Sequence, residues 1–178
     1  MISREEALNL IAGSTKLEHS VLVSRIMKRL AERFREDPAK WDLVGLLHDL
    51  DYDLVKGDMS RHGTMAAKML EERLSEEDLY AIKAHDHRTG FAPLSLMDRS
   101  LIAADALAIF IEDEKIDGDD YRGEALLARL DRENTDKPWI NYAILTFCEE
   151  RGLQLIEFLR LALNTEASNH FKKDCPRS

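Results

Sequence analysis

Cysteine is nearly absent: the 178 residues include two, Cys148 in an apolar helical pattern and Cys175 in a polar tail. No disulfide framework is expected, and such usage fits a reducing compartment, here read as the cytoplasm. Positive charge is also scarce. With 25 Lys and Arg against 34 Asp and Glu, the formal net charge is −9. That leaves no basic footprint for a nucleic-acid polymer and no polybasic patch for a membrane surface. No apolar run approaches the roughly 20 residues of a membrane span, and the opening MISREEALNL lacks a signal-peptide core. Strand alternation and internal repeats are missing as well. The acidic stretch EDEKIDGDDYRG lacks the D-x-[DN]-x-[DN]-G spacing and closing glutamate of a calcium loop.

What remains is helix. A hydrophobic content of 44% with 33% charged residues is that of an ordinary globular chain, long enough for one domain with a substantial core. Ser3 and Glu6 stand in capping-box spacing before a short first helix. Leu22, Ile26, Leu30 and Phe34 form one stripe of a long helix over 17–34. Pro38 opens a third helix that runs to His48-Asp49, and residues 51–60 read as a loop. Periodicity predicts further helices over 61–73, 76–87, 95–112, 121–131, 138–151 and 153–164. The fold class is all-α. The whole of 1–178 is read as one domain, with a core over 15–112, C-terminal helices over 119–165 packed on it, and a tail over 166–178.

The unusual polar residues fall on apolar faces. His19 shares the stripe of Leu22, Ile26 and Leu30, and His48-Asp49 closes the apolar run LVGLL. His62 precedes Ala66 and Met69 at helical spacing, His85 follows Ala81 and Ile82, and Asp105 shares a face with Leu101 and Ala108. One such histidine alone is more often a hydrogen-bonded core group than a ligand. Four imidazoles and two carboxylates on the inward faces of successive helices are a different matter. Two buried carboxylates repel each other unless a cation lies between them, and a divalent metal uses every one of these groups.

The order His19, His48-Asp49, Asp105 resembles the H…HD…D signature of the HD-domain superfamily of metal-dependent phosphohydrolases, whose members are all-helical bundles. His62 and His85 look like the two added histidines of its dinuclear subset. The resemblance covers about residues 15–112. It departs from the HDIG form at Leu50-Asp51, and it has HDH at 85–87 and no GYP tripeptide, so cyclic-di-GMP hydrolysis is not implied. The nearest motif is the HDLDY of uncharacterised HDIG-like hydrolases.

The resemblance implies one metal on His19, His48, Asp49 and Asp105. A second would sit on His62 and His85, with Asp49 bridging. Imidazole-rich coordination suits iron, manganese, cobalt, nickel or zinc better than magnesium or calcium; iron or manganese is expected, with cobalt, nickel, zinc and magnesium left open. Two metals about 3.5–4 Å apart would activate a water and clamp a phosphoryl group. Asp49 is thus a catalytic carboxylate. Asp51 and Asp53, in the loop beyond, either orient a ligand imidazole or shuttle a proton, or are simply solvated. Arg88 is the preferred phosphate contact among the nearby cations Lys56, Arg61, Lys83 and Arg88, although a helix-end arginine can equally be solvated. His87 becomes a ligand only if its helix ends first. Trp139, Tyr142, Leu145 and Phe147 pack, and either cover the pocket or form the face of a homodimer. The expected activity is hydrolysis of a small phosphate ester or nucleotide. The alternatives are a diiron oxygenase and a non-catalytic nucleotide-sensing module.

Overall fold

The computed structural model describes residues 2–116, 130 and 137–163. Among them are eight α-helices and no strand. Local sequence sets where the helices start. Ser3, Ser75 and Ser95 each accept from the backbone N–H of an acidic residue three positions on, whose carboxylate reaches back to the cap. These boxes open α1 (Arg4–Ile11), α5 (Glu76–Ala84) and α6 (Leu96–Asp113). Asp37 caps α3 (Pro38–Leu47) by accepting from Ala39 and Lys40, with proline in the first turn. Between them run α2 (Leu17–Phe34) and the short α4 (Thr64–Met69). The C-terminal pair is α7 (Pro138–Arg151) and α8 (Leu155–Leu163).

α6 is central, touching α2, α3, α5, α7 and α8, while α2 packs most extensively on α3. Val23, Ile26, Met27 and Leu30 of α2 and Val44, Leu46 and Leu47 of α3 are wholly buried, as are Leu101 and Leu107 of α6. Asp42 ties three helices together: it accepts from Ser24 Oγ at 2.5 Å and from Arg4 Nε at 2.7 Å. Among the described residues no helix is long and apolar enough to cross a membrane.

The α2–α3 approach depends on Gly45. A Cβ built there would lie 2.8 Å from Ser24 Cα and 3.0 Å from Ser24 N, both backbone atoms that cannot swing aside. Gly45→Ala is therefore expected to push the two helices apart, at about 1–3 kcal/mol. Thermal unfolding checks the stability. Because His19 rides on α2 and His48 ends α3, metal content should fall with it.

Two helices differ from the periodicity. The stretch 61–73 reads as one helix, but the chain makes a 3-10 turn at Met59–Arg61, an extended His62 (φ −61°, ψ 136°) and only then α4. Gly63 breaks the pattern. Its φ of 77° lies in the left-handed region, and a Cβ would stand 2.5 Å from Ile82 O. Periodicity also carries α5 to His87, whereas α5 ends at Ala84 and a separate 3-10 turn spans His87–Thr89. The helix expected near 121–131, apart from buried Leu130, and the tail over 166–178 lie outside the described residues.

Candidate metal centre

His48 and His85 occupy matching places, each at the C-cap of its helix. His48 Nδ1 donates to Gly45 O at 2.8 Å, and His85 Nδ1 donates to Ile82 O at 2.7 Å. Each ring satisfies a last-turn carbonyl that has no helical partner. The bond also fixes the tautomer, so Nε2 carries the free lone pair. His62 follows the same logic with a side-chain acceptor: its Nδ1 donates to Asp51 Oδ1 at 2.8 Å. His19 Nδ1 faces both oxygens of Glu112 at 3.2 Å. All four Nδ1 atoms are thus held from outside, and all four Nε2 atoms face a common centre.

Asp49 stands at that centre, 3% exposed. Its Oδ1 lies 3.3 Å from His48 Nε2, 3.0 Å from His62 Nε2 and 3.6 Å from His85 Nε2. Oδ2 faces the other side, 3.8 Å from His19 Nε2. Asp105 Oδ1 is 2.9 Å from His19 Nε2 and 3.7 Å from His48 Nε2. The nitrogens of His62 and His85 approach to 3.2 Å. Two overlapping groups of possible ligand atoms are each close enough to hold an ion, with His48 common to both: His19, His48 and Asp105, and His48, Asp49 and His85.

Charge fits the same reading. Burial works against a charged His19, but Asp105 and Glu112 outweigh it and raise its pKa from 6.5 to about 10. Burial likewise opposes charge on His62, and Asp49 with Asp51 prevails, raising it to about 9. His85 moves upward for the same reason, against its burial and toward Asp49. Burial would raise the carboxyls. The histidines around Asp49, and His19 and His48 beside Asp105, hold both below the usual range instead. The carboxylates call for positive charge here, which a divalent ion provides in place of protons. One atom makes the fit specific. His48 Nε2 is buried without a hydrogen-bond partner, which is costly for a polar atom unless it ligates something.

The other expected residues are dispersed. Asp51, wholly buried, holds His62 through Oδ1 and accepts from Ala66 N–H through Oδ2 at 2.9 Å. Asp53 instead binds the Ser14–Thr15 turn, accepting from Thr15 N–H at 2.8 Å and pairing with Lys56 at 2.7 Å. A cleft of about 630 Å³ opens over the centre. Of Arg88, Lys56, Lys83 and Arg61, only Arg88 lines it. Its guanidinium is clasped by Asp86, with Nε 2.9 Å from both carboxylate oxygens. His87 follows the end of α5, and its side chain is 77% exposed at the cleft wall, 3.8 Å from Asp86. Phe147 is buried against Phe34 and Phe158, whereas Trp139 and Tyr142 are exposed.

Sequence reasoning missed three groups. Lys16 Nζ sits 3.7 Å from Asp49 Oδ2 and 4.4 Å over the Tyr52 ring, and all three residues line the cleft. Glu112 is the third. Spacing could have found two of them: Lys16 is three residues from His19, and Glu112 is seven from Asp105, each on the ligand's own helical face.

Asp51 offers a clean test of how a ligand is held. In Asp51→Asn one amide atom becomes a donor, and it must face either the His62 Nδ1–H or the Ala66 N–H, both donors themselves. Metal affinity should fall about 10–100-fold. Competition with a chromogenic chelator measures this, and circular dichroism should report unchanged helix.

A family model described as HD domain matches residues 17–109, just over half of the chain, and its span contains all six converging side chains. No curated protein and no solved structure matches the chain significantly.

Proposed function

The chain belongs to the HD-domain family, and from that membership we propose that it is a metal-dependent phosphohydrolase. It cleaves a small phosphate ester, with His19, His48, Asp49, His62, His85 and Asp105 holding two divalent ions, iron or manganese. The observation that carries the reading is the convergence of four Nε2 atoms and two carboxylates at the floor of an open cleft, with His48 Nε2 buried and unpartnered. When bound, the metals would supply a water acidic enough to be hydroxide near neutral pH and a Lewis-acid clamp on phosphoryl oxygens.

The chain's own residues do the rest. Asp49 turns its two oxygens toward different histidines, which suits a bridging ligand. Asp51 and Glu112 orient His62 and His19 from behind. Lys16 brings a cation to the cleft side of Asp49, where an anionic phosphoryl group would approach. In the reaction the water oxygen bonds to phosphorus, the ester P–O bond breaks, and its electron pair leaves with the alcohol oxygen, which takes a proton. The metals dominate the local field, so the net charge of −9 does not bar an anionic substrate.

The test is elemental analysis of purified full-length protein, then a phosphoester panel with manganese, iron, cobalt or nickel added. Hydrolysis of at least one ester is expected, and His48→Ala should abolish it while helical content persists. Metal-loaded protein that cleaves none of the panel would overturn the proposal. So would a coupled iron pair that consumes oxygen.

A further inference from the structure

Beside the cleft lies a second cavity of about 500 Å³ that shares His85, His87, Asp105, Ile109 and Trp139 with it. The two are compartments of one space meeting over the ligands. Their chemistry differs. Apart from the Tyr142 phenol, the titratable groups of the second compartment, His85, His87 and Asp105, all belong to the shared end. Beyond them the walls are Phe91, Pro93 and Tyr142, and the floor is Ile102, Ala106 and Ala143. Alanine rather than a larger side chain at 106 and 143 leaves the room.

The aromatic wall is built in advance. Phe91 packs edge-on against Tyr80 with ring centroids 5.9 Å apart, and Tyr80 Oη donates to Ala92 O at 2.9 Å. The segment that carries Phe91 and Pro93 is therefore fastened to α5. Trp139, 49% exposed, faces this space from the start of α7. Large aromatic and aliphatic surface is thus left open to water beside the His/Asp centre, which is how small-molecule sites are commonly made. Trp139, Tyr142 and Ala143 lie outside the matched 17–109 span, so this wall is contributed by the chain's own C-terminal helices.

Resting on the phosphohydrolase reading, we propose that the substrate is a phosphate monoester of an aromatic alcohol. Its phosphoryl group faces the His/Asp centre, and its ring lies in the compartment between Phe91 and Trp139. Cations line only the cleft side, as Lys16, Arg88 and Lys137. A charged group on the alcohol portion would have to enter the apolar end unpaired, which is unfavourable.

Two measurements on the full-length protein test this separately from hydrolysis itself. The first is binding of 1-naphthol, the alcohol alone, followed through tryptophan emission. Of the two tryptophans, Trp41 is 3% exposed, so Trp139 is the one a ligand can reach. Saturable quenching is expected, weakened roughly tenfold by Ala143→Leu, which fills the floor. The second compares 1-naphthyl phosphate with methyl phosphate. Ala143→Leu and Trp139→Ala should each lower kcat/KM for the naphthyl ester roughly tenfold more than for the methyl ester. Quenching that is absent, or unchanged by Ala143→Leu, overturns the compartment even if esters are hydrolysed. Bound naphthol with no ester cleaved supports the compartment and overturns only the reading on which its substrate rests.

Discussion

Replacing Asp49 by alanine is expected to strip the centre of metal and to lower phosphoester hydrolysis by at least about a hundredfold, the upper end of what is lost when only an outer partner of a ligand is removed. Asp49 lies within 3.8 Å of all four imidazole Nε2 atoms. Asp49 Oδ1 lies 3.0–3.6 Å from the Nε2 atoms of His48, His62 and His85, and Oδ2 faces His19 and Lys16. Removing it takes the carboxylate from the His48, Asp49 and His85 group and leaves Asp105 as the carboxylate of the other. Asp49→Glu should recover little, because an extra methylene drives the carboxylate into nitrogens already at contact distance. The metal-free variant should suffer too: the histidines that share protons with Asp49 would lose their counter-charge and give the protons up. Elemental analysis, the ester assay and thermal unfolding with chelator present read these effects one by one. Metal retained at full occupancy in Asp49→Ala would show that the bridge is not there.

The second large effect is on pH, and its sign differs between the metal-free and metal-loaded protein. In the metal-free protein His19 and His62 titrate near 10 and 9 rather than 6.5. Raised values of this kind stabilise the fold fully below pH 6.5, and the contribution fades as pH climbs through 9 and 10. For His62 the contribution is on the order of 3 kcal/mol. Metal-free protein should accordingly melt lower at pH 10 than at pH 6.5. On the acid side the ion pairs persist until Asp49 and Asp105, both held below the usual carboxylate range, accept protons. Metal binding runs the other way. Each imidazole must shed its proton to ligate, so apparent metal affinity rises with pH, by up to about tenfold per unit for each proton released, until pH 9–10. Titration calorimetry in buffers of different ionisation enthalpy counts those protons, and about two or more per protein are expected at pH 7.5. Metal binding without proton release would contradict the geometry around His19 and His62.

Most of the frame could be read before any coordinates. The Ser3–Glu6 capping box and the long stripe of Leu22, Ile26 and Leu30 are local signals, and the helices they announce lie where expected. The HD family match agrees with the resemblance carried by His19, His48-Asp49 and Asp105. What escaped the sequence was decided by contacts between distant segments. Gly63 is glycine because Ile82 O lies 2.5 Å from where a Cβ would stand, and nothing in residues 60–66 announces that neighbour. The same contact cut short the helix expected over 61–73. Arg88 read as a phosphate contact or a solvated cation, yet its guanidinium closes on Asp86, two residues away. Asp53 looked like a companion of Asp51, but the two carboxylates leave the loop in different directions, one to His62 and one to Thr15. Neighbours in the chain had different fates because a turn, unlike a helix, gives no rule for where successive side chains point.

The paired histidines that cap α3 and α5 also constrain how such a chain can change over time. Each ring's direction is set by where its helix stops, and each residue added to or removed from a helix turns that end by about 100° and shifts it by about 1.5 Å. One codon inserted between Pro38 and His48, or between Glu76 and His85, would swing an Nε2 out of reach even though no ligand had been replaced. Lineages carrying this centre should therefore keep the lengths of both helices fixed, even where residue type is free to vary, as at the exposed Glu76 and Glu77 of α5. Changes in length should collect in the connections instead.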